Sequence, residues 1–362
     1  MNHFCTSIDR GYLVQGLAFW RSLAAHDPDA VLWVLALDDV TAAVLREVGG
    51  TWLRVVPLAE LEAGDAELAT VKAHRSRIEY YFTLQPCWPR WLLAKQTSID
   101  RLTAVDADTA FFASPEPVFA AMDAARASLL VTAHGFPPAL RHYEQHGKFN
   151  AGFFSVRRDA SGLAGLDDWR ARTLAWCFDR LEDGKYGCQK YLDDWPARFG
   201  PALLVLPHPG VNLAPWNWAA HHWEVDHVQE PRVRIDGQPL VLFHFARFRP
   251  ILGRWWWQSG QLDYGVMPHR LRNAIYGPYW RALEAARREL IGQDPNSSVA
   301  RRTARVGPGF WRDLPLRMLF GSDWLRVGDS FISGRLGLGQ WSGRCLAFLR
   351  RVAGRGRPGA TS

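Results

Sequence analysis

Short apolar runs alternate with amphipathic stretches near the start of the chain, and this alternation constrains the fold more than any other feature. Phe4 to Ile8, Val31 to Leu37 and Thr51 to Val56 have the length and composition of buried strands. Tyr12 to Ala25 and Thr41 to Val48 have helical periodicity, and the second stretch ends at a pair of glycines. This order is typical of strands joined by helical crossovers and predicts an α/β fold.

The alternation leads to a strand that ends in two carboxylates. Tyr80 to Lys95 predicts a helix broken by its two prolines, and Leu102 to Val105 predicts the next strand. Asp106 and Asp108 follow this strand, beyond the carboxyl end where open α/β sheets bind ligands. Two neighbouring carboxylates repel each other unless a cation joins them. Taken alone, the pair fits either a solvated turn at the end of a strand, the commoner case, or a Mg²⁺ or Mn²⁺ ion that holds a diphosphate.

Length and composition indicate a globular protein. At 362 residues with 48% hydrophobic residues, the chain suits one large α/β domain over residues 1–280 and an appendage over residues 281–362. Its apolar runs are much shorter than the roughly 20 residues that a membrane-spanning helix needs. The first residues lack the features of a secretory signal, so we expect a cytoplasmic protein. The five scattered cysteines predict reduced thiols.

The net charge of +7 is concentrated at the end of the chain. Residues 301–362 contain twelve arginines, no lysine and three aspartates, which gives +9, while the preceding residues sum to −2. Aromatic and aliphatic residues alternate with these arginines, a pattern typical of a segment that lies on an anionic membrane surface. A plain, poorly ordered appendage is the equal alternative. No nucleic-acid-binding module is visible, so nucleic acid is not an expected partner.

Three downstream stretches contribute further candidates, and no glycine-rich phosphate-binding loop accompanies them. Asn150 lies in a turn before an apolar strand, where Gly152 would let a ligand approach the backbone. Gln189 and Asp193 lie four residues apart at the start of a predicted helix, on one face. His244 ends an apolar strand and is either a third metal ligand or a hydrogen-bonded structural residue.

Taken in order, these stretches resemble nucleotide-sugar-dependent glycosyltransferases with the GT-A fold, most of all the family-8-like branch. The resemblance covers about residues 2–250 and leaves out the arginine-rich end. Several imperfect motifs in the expected order are more specific than any one of them alone. The motifs are Thr6-Ser-Ile-Asp9 with Tyr12, Val105-Asp-Ala-Asp108, Phe149-Asn-Ala-Gly152, Gln189-Lys-Tyr-Leu-Asp-Asp194, Gly210-Val-Asn-Leu-Ala-Pro-Trp-Asn217 and His244-Phe245.

The resemblance implies a GT-A type, Rossmann-like mixed sheet flanked by helices, with the basic C-terminal appendage outside it. It also implies a UDP-sugar or similar donor, with Mn²⁺ or Mg²⁺ held by Asp106, Asp108 and His244. The donor contacts that it implies are Thr6, Asp9, Tyr12, Asp106 and Arg247. The implied contacts of the sugar acceptor are Asn150, Trp216 and Asn217.

The resemblance offers two assignments of the catalytic group. In a retaining enzyme Gln189 would lie beneath the donor sugar, where only a modest polar group is needed. In an inverting enzyme a carboxylate must take the acceptor's proton, and Asp193 and Asp194 are the candidates. Retention is favoured by the resemblance alone.

Two positions depart from the family's pattern. Cys188 stands where the family often has aspartate, so that a contact to the donor sugar is either missing or supplied by Asp193 or Asp194. The family's lysine after the histidine is absent, and Arg247 or Arg249 would replace it in contacting phosphate.

We therefore predict a hexosyltransferase-like enzyme that moves a sugar to a glycan or lipid-linked acceptor in cell-surface polysaccharide synthesis. It would work in the cytoplasm, at the inner face of the cell membrane if the arginine-rich end binds there. The alternatives are a metal-dependent nucleotidyltransferase or phosphohydrolase with the same carboxylates, and a non-catalytic carbohydrate-binding relative.

Overall fold

A computed structural model shows two compact units. One consists of Met1–Phe248 and Met267–Arg302, and the other of Arg249–Val266 and Thr303–Ser362. The predicted domain division at residue 280 stays a prediction. The structure describes residues 1–226, 232–251, 256–294, 297–300, 308–320, 323–327 and 330–333.

The elements of the first unit begin with alternating strands and helices, as the sequence predicts. In chain order they are β1 (His3–Ile8), α1 (Leu13–His26), β2 (Val31–Ala36), α2 (Asp39–Val48), β3 (Leu53–Pro57), α3 (Leu58–Ala63), α4 (Ala66–Lys72), α5 (Arg77–Lys95) and β4 (Arg101–Val105). Next come β5 (Thr109–Phe111), α6 (Glu116–Ala124), β6 (Leu129–Ala133), β7 (Phe149–Arg157), α7 (Ala160–Ala175), α8 (Trp195–Phe199) and β8 (Leu203–Val205). The last strands are β9 (Trp223–Asp226), β10 (Arg232–Ile235), β11 (Gln238–Pro239) and β12 (Leu242–His244).

The rest of the chain alternates between the units. The second unit contains β13 (Arg249–Ile251), β14 (Trp256–Gln258) and α9 (Gln261–Tyr264), and α10 (His269–Gln293) returns to the first. The second unit then continues with α11 (Pro308–Phe320), β15 (Trp324–Val327) and β16 (Ser330–Ser333).

Seven strands form the central sheet, in the order β3-β2-β1-β4-β7-β6-β8. The first four are parallel to one another, whereas β7 is antiparallel to both of its neighbours. The predicted α/β fold, a Rossmann-like mixed sheet flanked by helices, is confirmed. Cys5 of β1 pairs with Ala104 of β4, so the residues after these two strands extend from the same edge of the sheet. That edge is where open α/β sheets bind ligands.

The prediction that its prolines break the helix before β4 is wrong, because α5 runs unbroken past Pro86 and Pro89. The helix begins with a capping box, in which the Ser76 hydroxyl accepts from the Glu79 amide and the Glu79 carboxylate accepts from the Ser76 amide. Each internal proline removes one helical hydrogen bond. The apolar face compensates, since it is buried in the core through Leu84, Trp88, Leu92 and Leu93.

The end of α5 is fixed by Arg158, which follows β7. Its guanidinium donates from Nη2 to the carbonyls of Leu93, at 2.6 Å, and of Gln96. Its Nε donates to the carbonyl of Ile99 at 2.9 Å. A cation at this position satisfies carbonyls that the helix leaves unpaired and complements the negative end of the helix dipole. Arg158 thereby joins α5 to the sheet just before β4 begins.

The second unit contains an antiparallel sheet in the order β13-β14-β15-β16, together with α9 and α11. Within it, Arg317 of α11 donates to both carboxylate oxygens of Asp323 at 3.2 Å, and both side chains are buried. Most of the arginine-rich segment lies outside the described residues, so its predicted membrane contact stays a prediction. Within the described ranges, no helix is both long enough and apolar enough to cross a membrane.

We predict that Arg158→Ala lowers the free energy of unfolding by about 1–3 kcal/mol, the range for hydrogen bonds made by a charged group. The loss follows from the carbonyls that the guanidinium now satisfies. Chemical denaturation followed by circular dichroism would measure it. Arg54→Ala, at an exposed position of β3, is the control and should change stability by less than about 0.5 kcal/mol. Equal stability of the two variants would contradict the capping role.

Candidate metal centre

Asp106, Asp108 and His244 meet in one cluster. Their possible ligand atoms all lie within 4.8 Å of one another. Nε2 of His244 is 3.2 Å from Oδ1 of Asp108 and 3.8 Å from Oδ2 of Asp106. The His244 side chain is 7% exposed and that of Asp106 is 32% exposed, so the cluster is reached from the Asp106 side. The predicted grouping of these three residues is confirmed.

A two-stranded ladder brings His244 to the carboxylates. The strand β12 pairs antiparallel with β5, and His244 lies opposite Thr109. The Phe245 amide donates to the carbonyl of Asp108 at 2.7 Å, which extends the ladder by one residue. The Thr109 hydroxyl donates to the carbonyl of Asp106 at 2.8 Å and holds the turn between the two aspartates. Backbone pairing therefore sets the spacing of the cluster.

Gly152 packs directly beneath the cluster. Its carbonyl accepts from the Asp106 amide at 2.9 Å. A Cβ at this position would lie 2.6 Å from Oδ2 of Asp106, 2.7 Å from Oδ1 of Asn150 and 2.8 Å from Cε1 of His244. Only glycine fits here. The space above Gly152 is occupied by the site's own side chains, and the predicted approach of a ligand to its backbone stays a prediction.

A buried amide network orients His244. Oδ1 of Asn212 lies 3.3 Å from Nδ1 of the histidine, and Nδ2 of Asn212 donates to Thr132 at 2.8 Å and to Asn150 at 3.0 Å. Oδ1 of Asn150 also accepts from the Gly152 amide at 3.0 Å. Because a carbonyl oxygen faces Nδ1, that nitrogen carries a proton. Nε2 is then the atom that faces the carboxylates, and it would bind a cation once it has lost its own proton.

Gln85 of α5 holds the other side of the cluster. Its Nε2 donates to Oδ1 of Asp106 at 3.0 Å, which leaves Oδ2 beside His244. Sequence reasoning missed this residue, because nothing in its spacing marks a helical glutamine as a neighbour of the carboxylates. Asn212 was also missed, although it lies inside one of the motifs that carry the resemblance.

The charges of the cluster are unbalanced. Burial raises the pKa of Asp106, the His244 imidazole opposes that shift, and the Asp108 carboxylate adds to it. Burial by itself lowers the pKa of His244, but Asp108 and Asp106 outweigh it and raise the pKa overall. Both shifts arise from two anions in a poorly solvated cleft. The pair needs a positive partner, either a proton on His244 or a cation.

The predicted donor residues after β1 form a turn. Oδ1 of Asp9 accepts from the amides of Gly11, at 2.7 Å, and Tyr12, at 3.2 Å. The hydroxyl of Tyr81, which the sequence did not single out, donates to Oδ2 of Asp9 at 3.4 Å. Tyr12 is an exposed residue, with 46% of its surface accessible. Asp9 shapes this turn, and its predicted contact with the donor stays a prediction.

The remaining donor candidates differ in accessibility. Thr6 is buried within β1, at 4% exposure, whereas Arg247 is exposed. Arg247 has a φ of 63°, a left-handed conformation that is uncommon for a residue with a side chain. Arg249, the alternative phosphate contact, begins β13 in the second unit. The roles of all three stay predictions.

The catalytic candidates Gln189 and Asp193 lie on a 3₁₀-helix, Gln189–Asp194. A 3₁₀-helix has three residues per turn, so the prediction of a shared α-helical face is wrong. Both side chains nevertheless contact one loop. Gln189 donates from Nε2 to the carbonyl of His146 at 3.1 Å, and Oδ1 of Asp193 accepts from the Lys148 amide at 2.6 Å. Asp193 also pairs with Lys190 at 2.8 Å.

The other positions around this helix have structural partners. Asp194 pairs with Arg172 at 2.9 Å and with Arg198 at 3.8 Å. Cys188 is buried, its carbonyl accepts from the Trp169 indole at 2.9 Å, and burial raises the pKa of its thiol. Burial and the nearby Asp106 carboxylate would both disfavour an ionised carboxylate at this position.

The predicted acceptor residues lie beside the cluster but are buried. The ring of Trp216 packs edge to face against His244, with centroids 5.0 Å apart, and against His134 at 5.6 Å. Both amide atoms of Asn217 bond to the backbone of residues 212–214, with Oδ1 accepting at 2.8 Å and Nδ2 donating at 3.3 Å. These contacts shape the wall of the site, and direct contact with an acceptor stays a prediction.

No protein-family model matches the chain. Among solved structures, that of the galactosyltransferase LgtC in complex with donor and acceptor sugar analogs is similar over 86% of this chain and 99% of LgtC, with a TM-score of 0.45 and 16% identity. The apo form of mouse xyloside xylosyltransferase 1 is similar over 68% of this chain and 97% of that chain, with a TM-score of 0.44 and 13% identity.

Two proteins of Bacillus subtilis (strain 168) are similar in sequence. YfnF is 30% identical over 253 residues, which cover 68% of this chain and 81% of YfnF. YfnD is 30% identical over 249 residues, which cover 68% of this chain and 78% of YfnD. Both are described as uncharacterized proteins. The chain therefore belongs to the family of YfnF and YfnD.

Proposed function

We propose that this protein is a metal-dependent glycosyltransferase that moves a sugar from a nucleoside-diphosphate sugar to a glycan or lipid-linked acceptor. The observation that carries the proposal is the cluster of Asp106, Asp108 and His244. It lies directly after β4, at the sheet edge where such folds bind ligands. The motif order that resembles GT-A glycosyltransferases supports the same assignment.

The three side chains of the cluster are suitable ligands for a small divalent cation. Asp106 and Asp108 offer carboxylate oxygens, the ligands that Mg²⁺ and Mn²⁺ prefer, and His244 offers an imidazole nitrogen. The Asn212 carbonyl beside Nδ1 keeps Nε2 available as the ligand atom. Such a cation would neutralise the negative charge that grows on the departing nucleoside diphosphate.

The residues of this chain then have distinct tasks. Gln85 and Asn212 hold Asp106 and His244 in place, so the cluster needs little rearrangement when a donor binds. Tyr12 is exposed and offers a contact for the nucleotide. The resemblance to GT-A glycosyltransferases favours UDP as that nucleotide. Arg247 is exposed and is our candidate for a phosphate contact.

We favour retention of the donor's stereochemistry, with Gln189 beneath the sugar. Its amide nitrogen donates a hydrogen bond to the carbonyl of His146, so the carboxamide oxygen is the atom suited to face the positive charge that develops on the sugar. Asp193 and Asp194 are the candidates for a base in an inverting reaction. Their oxygens are engaged by Lys190, the Lys148 amide and Arg172, and a role as base would require those contacts to open.

The acceptor proposal has a second support in the amino-acid sequence. The +9 charge of residues 301–362 would draw the enzyme to an anionic leaflet, with about 1 kcal/mol per basic residue near the surface. An enzyme held there would meet lipid-linked sugars. We therefore propose a role in cell-surface polysaccharide synthesis at the inner face of the membrane.

A screen of nucleotide sugars by thermal stabilisation tests the function. We expect one sugar nucleotide to raise the melting temperature in the presence of Mn²⁺, and much less without it, because the cation joins the cluster to the diphosphate. At a ligand concentration of about 100 times Kd, the gain is about 2.7 kcal/mol. Equal stabilisation by the free nucleoside diphosphate and by every sugar nucleotide would instead favour a nucleotidyltransferase or phosphohydrolase.

Asp106→Asn and Asp108→Asn should each lower metal-dependent transfer about a hundredfold or more, since a cation supplies several kcal/mol of charge stabilisation. Initial rates of sugar transfer at saturating Mn²⁺ would measure the effect. Asp29→Asn, at an exposed position, is the matched control and should retain full activity. If either cluster variant, correctly folded, kept the wild-type rate, the metal-centre assignment would fail.

Gln189→Ala should lower kcat by about tenfold or more while changing donor affinity little, because the group acts as charge develops on the sugar. Gln145→Ala, at an exposed position of the neighbouring loop, is the control for general disturbance. Steady-state kinetics and donor titration would separate the two effects. An unchanged kcat, or an equal loss in both variants, would remove Gln189 from the mechanism.

A further inference from the structure

A groove with a volume of about 600 Å³ lies on the first unit, beyond the end of β6. Thr132 and Asn217 line it where it adjoins the buried amide network, and Ala121 contributes from α6. The segment after β8 lines it with His208, the turn after β10 with Asp236, and the start of β11 with Gln238. Its volume lies within the range of about 300–1,000 Å³ that is usual for small-molecule sites.

The lining combines apolar surface with hydroxyl-bonding groups. Alanine, proline, leucine and valine side chains provide the apolar part, and imidazole, amide and carboxylate groups provide the polar part. Among the described residues that line it, none is lysine or arginine. Burial lowers the pKa of His208, which keeps this imidazole neutral. The described lining thus offers no lysine or arginine to pair with phosphate or carboxylate, and its second imidazole, His221, already faces Asp236. It suits an uncharged ligand that has both apolar faces and hydroxyls.

The polar groups of the groove are held in fixed positions. Nδ1 of His208 accepts from the Gly210 amide at 3.1 Å, which places its proton on Nε2 as a donor. Oδ2 of Asp236 lies 2.7 Å from Nδ1 of His221, and Oδ1 accepts from the His222 amide at 2.8 Å. Fixed donors and acceptors reduce the entropy lost on binding a hydroxylated ligand.

The groove adjoins the residues that orient the metal cluster. The hydroxyl of Thr132 accepts from Asn212, and the amide of Asn217 donates to the Asn212 carbonyl. Asn212 in turn faces Nδ1 of His244. A ligand that occupied the groove would thus lie against Thr132 and Asn217. Both are hydrogen-bonded to Asn212, which separates them from His244 of the candidate metal centre.

We propose that this groove binds the uncharged, non-reacting sugars of an oligosaccharide acceptor. Pyranose rings offer apolar C–H faces and hydroxyl groups, which match the two parts of the lining. The inference rests on the proposed glycosyltransferase function, because it places the part of the acceptor that does not react. It predicts that a longer neutral acceptor is used better than a single sugar.

Direct binding is tested first, without a donor or turnover. The probes are maltotriose, mannotriose, galactotriose and tri-N-acetylchitotriose, with trigalacturonate as the anionic comparison, and saturation-transfer NMR measures their binding to the full chain. Ala121→Trp fills the groove from α6, and Gln238→Ala removes an exposed amide from its lining. Ala120→Trp adds the same bulk at the adjacent exposed position, outside the lining, and is the matched control.

We expect at least one neutral trisaccharide to bind the wild type and Ala120→Trp about tenfold or more tightly than Ala121→Trp, a difference of about 1.4 kcal/mol. Gln238→Ala should weaken the same binding, and trigalacturonate should not bind. The groove assignment fails if no neutral trisaccharide binds the wild type, if Ala121→Trp and Gln238→Ala both bind as the wild type does, or if trigalacturonate binds best.

A transfer assay with mono- and trisaccharide acceptors distinguishes this inference from the proposed function. We expect Ala121→Trp to lose the preference for the trisaccharide that the wild type and Ala120→Trp show. Groove-dependent binding without transfer from any sugar nucleotide would overturn the glycosyltransferase proposal alone. Transfer with the same chain-length preference in Ala121→Trp and the wild type would overturn the groove alone.

Discussion

The repulsion between Asp106 and Asp108 is the constraint on which the site depends. One residue separates the two carboxylates, and partial burial prevents water from screening them fully. Neighbouring groups meet this constraint from opposite sides, with Gln85 donating to Asp106 and His244 adjoining both carboxylates. The surrounding fold therefore places hydrogen-bond donors beside two partly buried carboxylates, which would be unfavourable without them.

The support of this point is almost entirely made of uncharged groups. Asn212 and Asn150 are buried and hydrogen-bonded to each other, and they reach His244 on one side and Gly152 on the other. Buried amides of this kind are favourable only when their donors and acceptors are satisfied together. The network thus fixes the direction of the imidazole without adding a charge that would compete with a bound cation.

The sequence predicted what depends on local pattern and left out what depends on long-range packing. The apolar runs located β1 to β4 and the aspartates after them, because strand length and burial appear directly in the order of residues. The two prolines led to the wrong prediction of a broken helix, because the tertiary packing of α5 outweighs their local preference. Gln85 and Asn212 were missed since their roles arise from contacts across the fold, and Gln189 lies on a 3₁₀-helix that periodicity could not distinguish from an α-helix.

The short ladder between β5 and β12 has a consequence for the order of assembly during synthesis. The first part of the sheet and both aspartates leave the ribosome long before His244, which lies more than a hundred residues later in the chain. Domains fold as the chain emerges, N-terminal parts first. Until β12 has been made, the two carboxylates lack the His244 imidazole and β5 lacks the strand that pairs with it. The last strand of this site therefore acts as a completion step, since a nascent fragment without β12 lacks one of the three side chains of the candidate metal centre.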